Sequence, residues 1–127
     1  MNEMFPSKEL SEDEYLIYTR GKVVAIAQSI LDEEIGVIAG SRKLCAYSSG
    51  LYRVADGYLD EEYFIPFEAV DSETAHLPVD WERKNWSEEA LKGKDVEIAE
   101  FEAKSKERIF EACRVLIRRY EVAFPRT

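Results

Sequence analysis

The sequence predicts an all-α domain, and three stretches carry that prediction. The last third, Ser87 to Tyr120, repeats apolar residues at the helical period. An earlier apolar run ending near Leu31 opens behind Ser11-Glu12-Asp13-Glu14, a capping-box pattern. A shorter run, Ile35 to Tyr47, gathers its apolar residues on one helical face. The expected architecture is three main helices at about 11–31, 35–47 and 87–121. A long ordered acidic and aromatic crossover at about 51–85 joins the second to the last, and the first two helices lie on the last. Residues 1–10 are expected as an irregular arm, 11–121 as a single domain and 122–127 as a tail. A chain of 127 residues with 46% hydrophobic content suits one such domain.

The first helix is capped by Ser11 with Glu14 three residues on, and Leu10 and Tyr15 stand where a hydrophobic staple would form. Its apolar positions include Leu16, Val23, Val24, Ala27, Ile30 and Leu31, with Gly21 weakening the middle. Nothing between Leu31 and Glu34 forces a stop. In the second helix Gly36 and Gly40 sit four apart, which fits close packing of helix backbones. The alternative is a glycine-lined ligand contact, but there is no preceding strand, G-x-G-x-x-G or P-loop lysine to support it. Gly50 is expected to end this helix as a left-handed cap.

The last helix carries Leu91, Ile98, Phe101, Ile109, Ala112, Cys113, Leu116, Ile117 and Tyr120 as its stripe. Ser87 followed by Glu88 and Glu89 starts it, and Arg118 and Arg119 fall in its expected last turn. Glu88–Lys92, Glu100–Lys104 and Glu102–Lys106 are opposite-charge pairs at four-residue spacing. Unbroken, the helix would span roughly 50 Å. Gly93 marks the place where it could kink or break.

Net charge bounds the partners. The chain carries a formal −9, so nucleic acid and anionic membrane surfaces, which call for a basic footprint, are poor partners. No apolar run reaches the length of a membrane span, and residues 1–14 lack the layout of a signal peptide. These features, with two widely spaced cysteines read as free thiols, suggest a cytoplasmic protein. The charge is not spread evenly. Residues 54–82 hold nine acids (Asp56, Asp60, Glu61, Glu62, Glu68, Asp71, Glu73, Asp80 and Glu82) and no Lys or Arg, while the rest of the chain balances seventeen acids against seventeen bases. A field concentrated in one segment steers oppositely charged partners. The interleaved Tyr58, Tyr63, Phe64, Phe67 and Trp81 add the aromatic content common in interface centres.

No complete catalytic or cofactor motif is present, so no cofactor is expected. Asp71, Glu73 and His76 form the only cluster that invites a metal or acid–base reading, but their spacing matches no established ligand pattern and His76 is the only histidine. Their structural alternative is turn capping by Asp71 and a local hydrogen bond from His76. A Cys45–His76 nucleophile pair meets the objection that Cys45 sits on an apolar helix face.

Three blocks also carry a resemblance. They are Ile30-Leu31-Asp32-Glu33-Glu34-Ile35-Gly36-Val37-Ile38-Ala39-Gly40-Ser41-Arg42-Lys43-Leu44, Val70-Asp71-Ser72-Glu73-Thr74-Ala75-His76-Leu77-Pro78 and Trp86-Ser87-Glu88-Glu89-Ala90-Leu91. Over roughly residues 23–120 the chain resembles a group of small bacterial proteins of unknown function built on these blocks in this order. The resemblance implies a bacterial source and a compact helical fold, with no activity or residue role attached.

The functional expectation is a non-enzymatic protein-binding module, immunity- or antitoxin-like, that covers a basic partner. Asp60, Glu61, Glu62, Glu68, Asp71, Glu73 and Trp81 are the expected contact residues. The alternatives are a small metal protein or enzyme using Asp71, Glu73 and His76, and a structural homodimer paired through the long helix.

Overall fold

The computed structural model describes residues 11–51 and 60–123, apart from the side chains of 80, 81, 122 and 123. Over these residues the protein is all-helical. Helices α1 (Glu12–Leu31), α2 (Val37–Leu51), α3 (Glu61–Glu73) and α4 (Glu88–Ala123) follow one another, with a 3-10 turn at Asp80–Asn85 before α4. The expected arm at 1–10 and residues 124–127 of the expected tail lie outside the described residues. The main helix pairs are α2 with α3 and α1 with α4; α1 also lies on α2, and both α2 and α3 touch α4. Both early helices were expected to rest on the last one. Instead the second finds its principal partner in a helix within the expected crossover.

At the start of α1 the capping box forms on both sides. Glu14 N donates to Ser11 Oγ at 3.2 Å, and Ser11 N donates to Glu14 Oε1 at 3.1 Å. The staple partner Leu10 lies outside the described residues. The helix ends in a Schellman arrangement: Glu34 N donates to Ser29 O at 2.9 Å and Glu33 N to Ile30 O at 3.0 Å. The left-handed residue that this stop needs is Glu33, at φ 59°. A non-glycine residue there carries a steric cost of about 1–2 kcal/mol, and with Glu in place of glycine the stop has no glycine to mark it.

Helix α2 begins at Val37 and has no capping side chain of its own. Its Ile38 N–H donates to Glu102 Oε2 at 3.1 Å, a carboxylate supplied by α4. A Cβ on Gly36 would lie 2.6 Å from that same oxygen, so the approach depends on glycine. At Gly40 a Cβ would meet Ile30 Cγ1 at 2.4 Å, which supports reading this glycine as a close-packing position. Gly50 corrects its expected role: it lies within α2 at a negative φ, with the Tyr15 hydroxyl against its Cα.

The crossover contains α3, the largest departure from the expected three helices. Phe64, Phe67 and Val70 recur every three residues and are wholly buried, so the segment hides one stripe as a helix does. Pro66 lies inside α3. The hydrogen bond it forfeits would have gone to the carbonyl of Glu62, in the exposed first turn. The three buried side chains, worth roughly 1.5–3 kcal/mol each, offset that loss of about 3 kcal/mol.

Helix α4 runs without interruption through Gly93 to Ala123, about 54 Å at 1.5 Å per residue. Arg118 and Arg119 therefore precede its last turn. Its second half supplies the core through Ile109, Cys113, Leu116 and Tyr120, which meet Val23, Ile30, Ile38, Leu44, Leu51 and the α3 stripe. In its first half Ile98 and Phe101 are half-buried against the core, and the segment 74–86 is strapped to it through Arg83–Asp95. Glu102 and Lys106, expected as a pair within the helix, take tertiary partners instead: Ile38 N and Glu33, the latter at 2.7 Å.

Two glycines of opposite environment test this packing. Gly40→Ala should destabilise by roughly 1–3 kcal/mol, because the new methyl forces buried Ile30 to move. Gly93→Ala, where nothing lies within 4 Å, should stabilise by about 1 kcal/mol. Urea midpoints measure both; changes of the same sign would contradict the packing.

Candidate functional site

The acidic segment folds into a helix whose two ends are fixed by arginines. At the N-terminal end Asp60 is completely buried and its carboxylate is saturated by donors from two other helices. Arg20 Nη2 of α1 and the Tyr120 hydroxyl of α4 both donate to Oδ2 at 3.2 Å. Arg119 Nε and Nη2 donate to Oδ1 at 3.3 Å. The Arg20 guanidinium lies 5.3 Å from the centroid of the Tyr120 ring, and that of Arg119 lies 5.7 Å from the Tyr63 ring. Burial, followed by the neighbouring Asp60 charge, pushes the Tyr120 hydroxyl well above its ordinary pKa, so it stays a donor.

This arrangement corrects the expected contact surface. Asp60 cannot meet a partner, because its charge is spent inside the protein on Arg20 and Arg119.

At the C-terminal end Arg42 of α2 gathers the chain leaving α3. Its Nη2 donates to the carbonyls of Thr74 and Leu77, the latter at 2.9 Å. Its Nη1 donates to Glu82 Oε1 at 2.7 Å, and its Nε lies 3.6 Å from Asp71 Oδ1. Glu82 Oε1 also accepts from Val79 N at 3.1 Å, at the start of the 3-10 turn. Two acids of the segment, Asp71 and Glu82, are thus partly neutralised by this one guanidinium.

What remains for solvent is a compact face. Glu61, Glu62, Ile65, Ala69 and Glu73 are exposed on α3, at spacings that bring them to one side of the helix. Ile65 is 55% exposed at the middle of this face, with Glu61 and Glu62 one turn before it and Glu73 two turns after. Glu68 and Asp71 are half-buried at its margin. The side chain of Trp81 lies outside the described residues, so its expected contact role has no structural counterpart here.

Asp71, Glu73 and His76 do not converge. Asp71 turns to Arg42, Glu73 faces solvent, and His76 pairs across the strap with Glu97 of α4. Among the described residues no group of three or more His, Cys, Asp or Glu side chains could hold a metal ion. Cys45 is half-buried, and desolvation, reinforced by the Asp71 and Glu68 charges, raises its thiol to about 12. Burial raises that of Cys113 to about 12 as well. Neither is an activated nucleophile at neutral pH.

The residues that sequence reasoning missed are the basic ones: Arg20, Arg42 and Arg119, with Tyr120. The absence of Lys and Arg from 54–82 was itself a signal that any burial of this segment must recruit cations from elsewhere. Arg20, at the helical spacing of the apolar positions Leu16, Val23, Val24 and Ala27, was the best clue. Comparison of the chain with protein-family models, with curated proteins and with solved structures finds no match.

The strap offers a titration test. Its hydrogen bond with His76, followed by the charges of His76 and Lys94, holds the Glu97 carboxyl below the usual carboxylate range. A carboxylate depressed on folding contributes stability above its ordinary value and loses that contribution as pH falls through the depressed one. His76→Ala should therefore move the Glu97 titration upward, read by NMR of its side-chain carboxyl carbon. An unmoved titration would show that the strap is not latched through this pair.

Proposed function

We propose that the protein is a non-enzymatic binding module that presents the outer face of α3 to a basic protein partner, in the manner of an immunity or antitoxin protein. The reading takes the chain as a bacterial cytoplasmic protein, in line with the resemblance and the free cysteines. The observation that carries it is the exposed Ile65 with Glu61, Glu62 and Glu73 around it on a helix pinned at both ends. An apolar centre within a charged rim is the usual anatomy of an interface hot spot. A helix held by Asp60 and Arg42 loses little further freedom when it binds.

The experiment is affinity capture from source-cell lysate at low salt, with wild type beside the Glu61→Ser/Glu62→Ser variant. Asp60 is left intact so that the core is untouched. A captured basic protein should associate about tenfold more slowly with the variant at low salt, within the range of electrostatic steering, and dissociate at a similar rate. An association rate equal to wild type at low salt would contradict the reading.

A further inference from the structure

A second surface complements the α3 face within the same molecule. Between α1 and α2 runs a groove of about 360 Å³, with Ala25, Ile26, Ile35 and Tyr47 along its floor and Lys22 and Lys43 at its rim. Lys22 lies 5.6 Å from the Tyr18 ring centroid, and among the described residues neither lysine has a carboxylate within ion-pair distance. In a chain of net charge −9, two such lysines flanking apolar side chains form a local positive rim. The groove therefore suits an apolar side chain flanked by carboxylates on an exposed helix.

The outer face of α3 has that chemistry. Ile65 is 55% exposed, and Glu61 and Glu62 stand one turn before it, flanking it around the helix circumference. We propose that the α1–α2 groove docks α3 of a second copy of this chain, with Ile65 entering between Ile26, Ile35 and Tyr47 and with Glu61 and Glu62 facing Lys22 and Lys43. The two surfaces lie on different helices, so the contact is heterologous: copies join head to tail, into a ring if the rotation closes and an open chain if it does not. One helix in one groove lies at the small end of specific interfaces, which places the dissociation constant in roughly the micromolar to millimolar range. The contact occupies the same face as the proposed partner site but needs no outside protein. Its test on purified material therefore stands or falls separately from the capture experiment.

The test is sedimentation velocity of the full chain at low salt over a rising concentration series. It uses wild type, Lys22→Glu/Lys43→Glu, Glu61→Lys/Glu62→Lys and an equimolar mixture of the two variants, with circular dichroism confirming that each is helical. Wild type should grow in mass with concentration. Each variant alone should remain monomeric, because groove and face then carry the same sign. The mixture should assemble again, since each variant's face matches the other's groove. Each Lys→Glu change removes two charge units and each Glu→Lys adds two, so the variants stand at −13 and −5 against −9. Both remain acidic, so bulk attraction cannot account for assembly of the mixture. A wild type that stays monomeric at the highest concentration, a variant that associates like wild type, or a mixture that stays monomeric would each overturn the proposal.

Discussion

The fold depends on a carboxylate that has no access to water. Asp60 joins α3 to α1 and α4 through Arg20, Arg119 and Tyr120, with both of its oxygens occupied. Moving an ion of this size out of water costs several kcal/mol even after relaxation, and the attraction of partners offsets that cost only when the remaining lone pairs are filled. Two guanidinium groups and a hydroxyl fill them. The interaction gains specificity from the same desolvation that makes it costly: any other register of α3 would take the buried Asp60 carboxylate away from the donors of α1 and α4. Apolar stripes alone would let α3 slide or rotate by a turn.

Two further polar contacts join elements distant in the chain. Glu102 of α4 occupies the N-terminus of α2, where an N–H and the positive end of the helix dipole would otherwise stand unmet. Arg42 of α2 collects carbonyls and carboxylates from the chain that leaves α3. With Asp60 these tie every helix to another through charge-assisted hydrogen bonds, which are stronger and more directional than neutral ones. The consequence for function is a rigid α3. The proposed binding face is a helix surface fixed in orientation by its ends, and this distinguishes it from a solvated acidic loop.

The periodic parts of the fold could be read directly from the sequence. The Ser11–Glu14 capping box, the stripe of α1 and the stripe of α4 are local patterns, and local patterns need no knowledge of what packs where. Helix α3 was harder to read for two reasons. Pro66 and a dense run of acids look like loop chemistry, and the stripe of Phe64, Phe67 and Val70 is only three residues long. The end of α1 was hidden because Glu33 takes the left-handed position that glycine usually marks. Gly50 and Gly93 read as punctuation but are neither caps nor breaks, since helices held by tertiary contacts tolerate them. In the candidate site the acidity of the segment was plain, but how its charges are spent was not. Whether an acid faces solvent, as Glu61 and Glu62 do, or is consumed internally, as Asp60 is, depends on residues forty to sixty positions away.

The most direct test of the central constraint is a double-mutant cycle on Asp60 and Arg20, followed by urea denaturation. Asp60→Ala alone should cost about 3–5 kcal/mol, because it removes the buried carboxylate that Arg20, Arg119 and Tyr120 share. Adding Arg20→Met, which removes the buried cation that faces Asp60 and keeps an apolar side chain of similar length, should recover at least ~1 kcal/mol of that loss, giving a clear coupling energy. Single and double effects that add to within about 0.5 kcal/mol would mean that the two groups do not depend on each other. In that case the Asp60–Arg20 pair would not fix the register of α3 against α1, and the account of a fold that depends on this buried pair would fail.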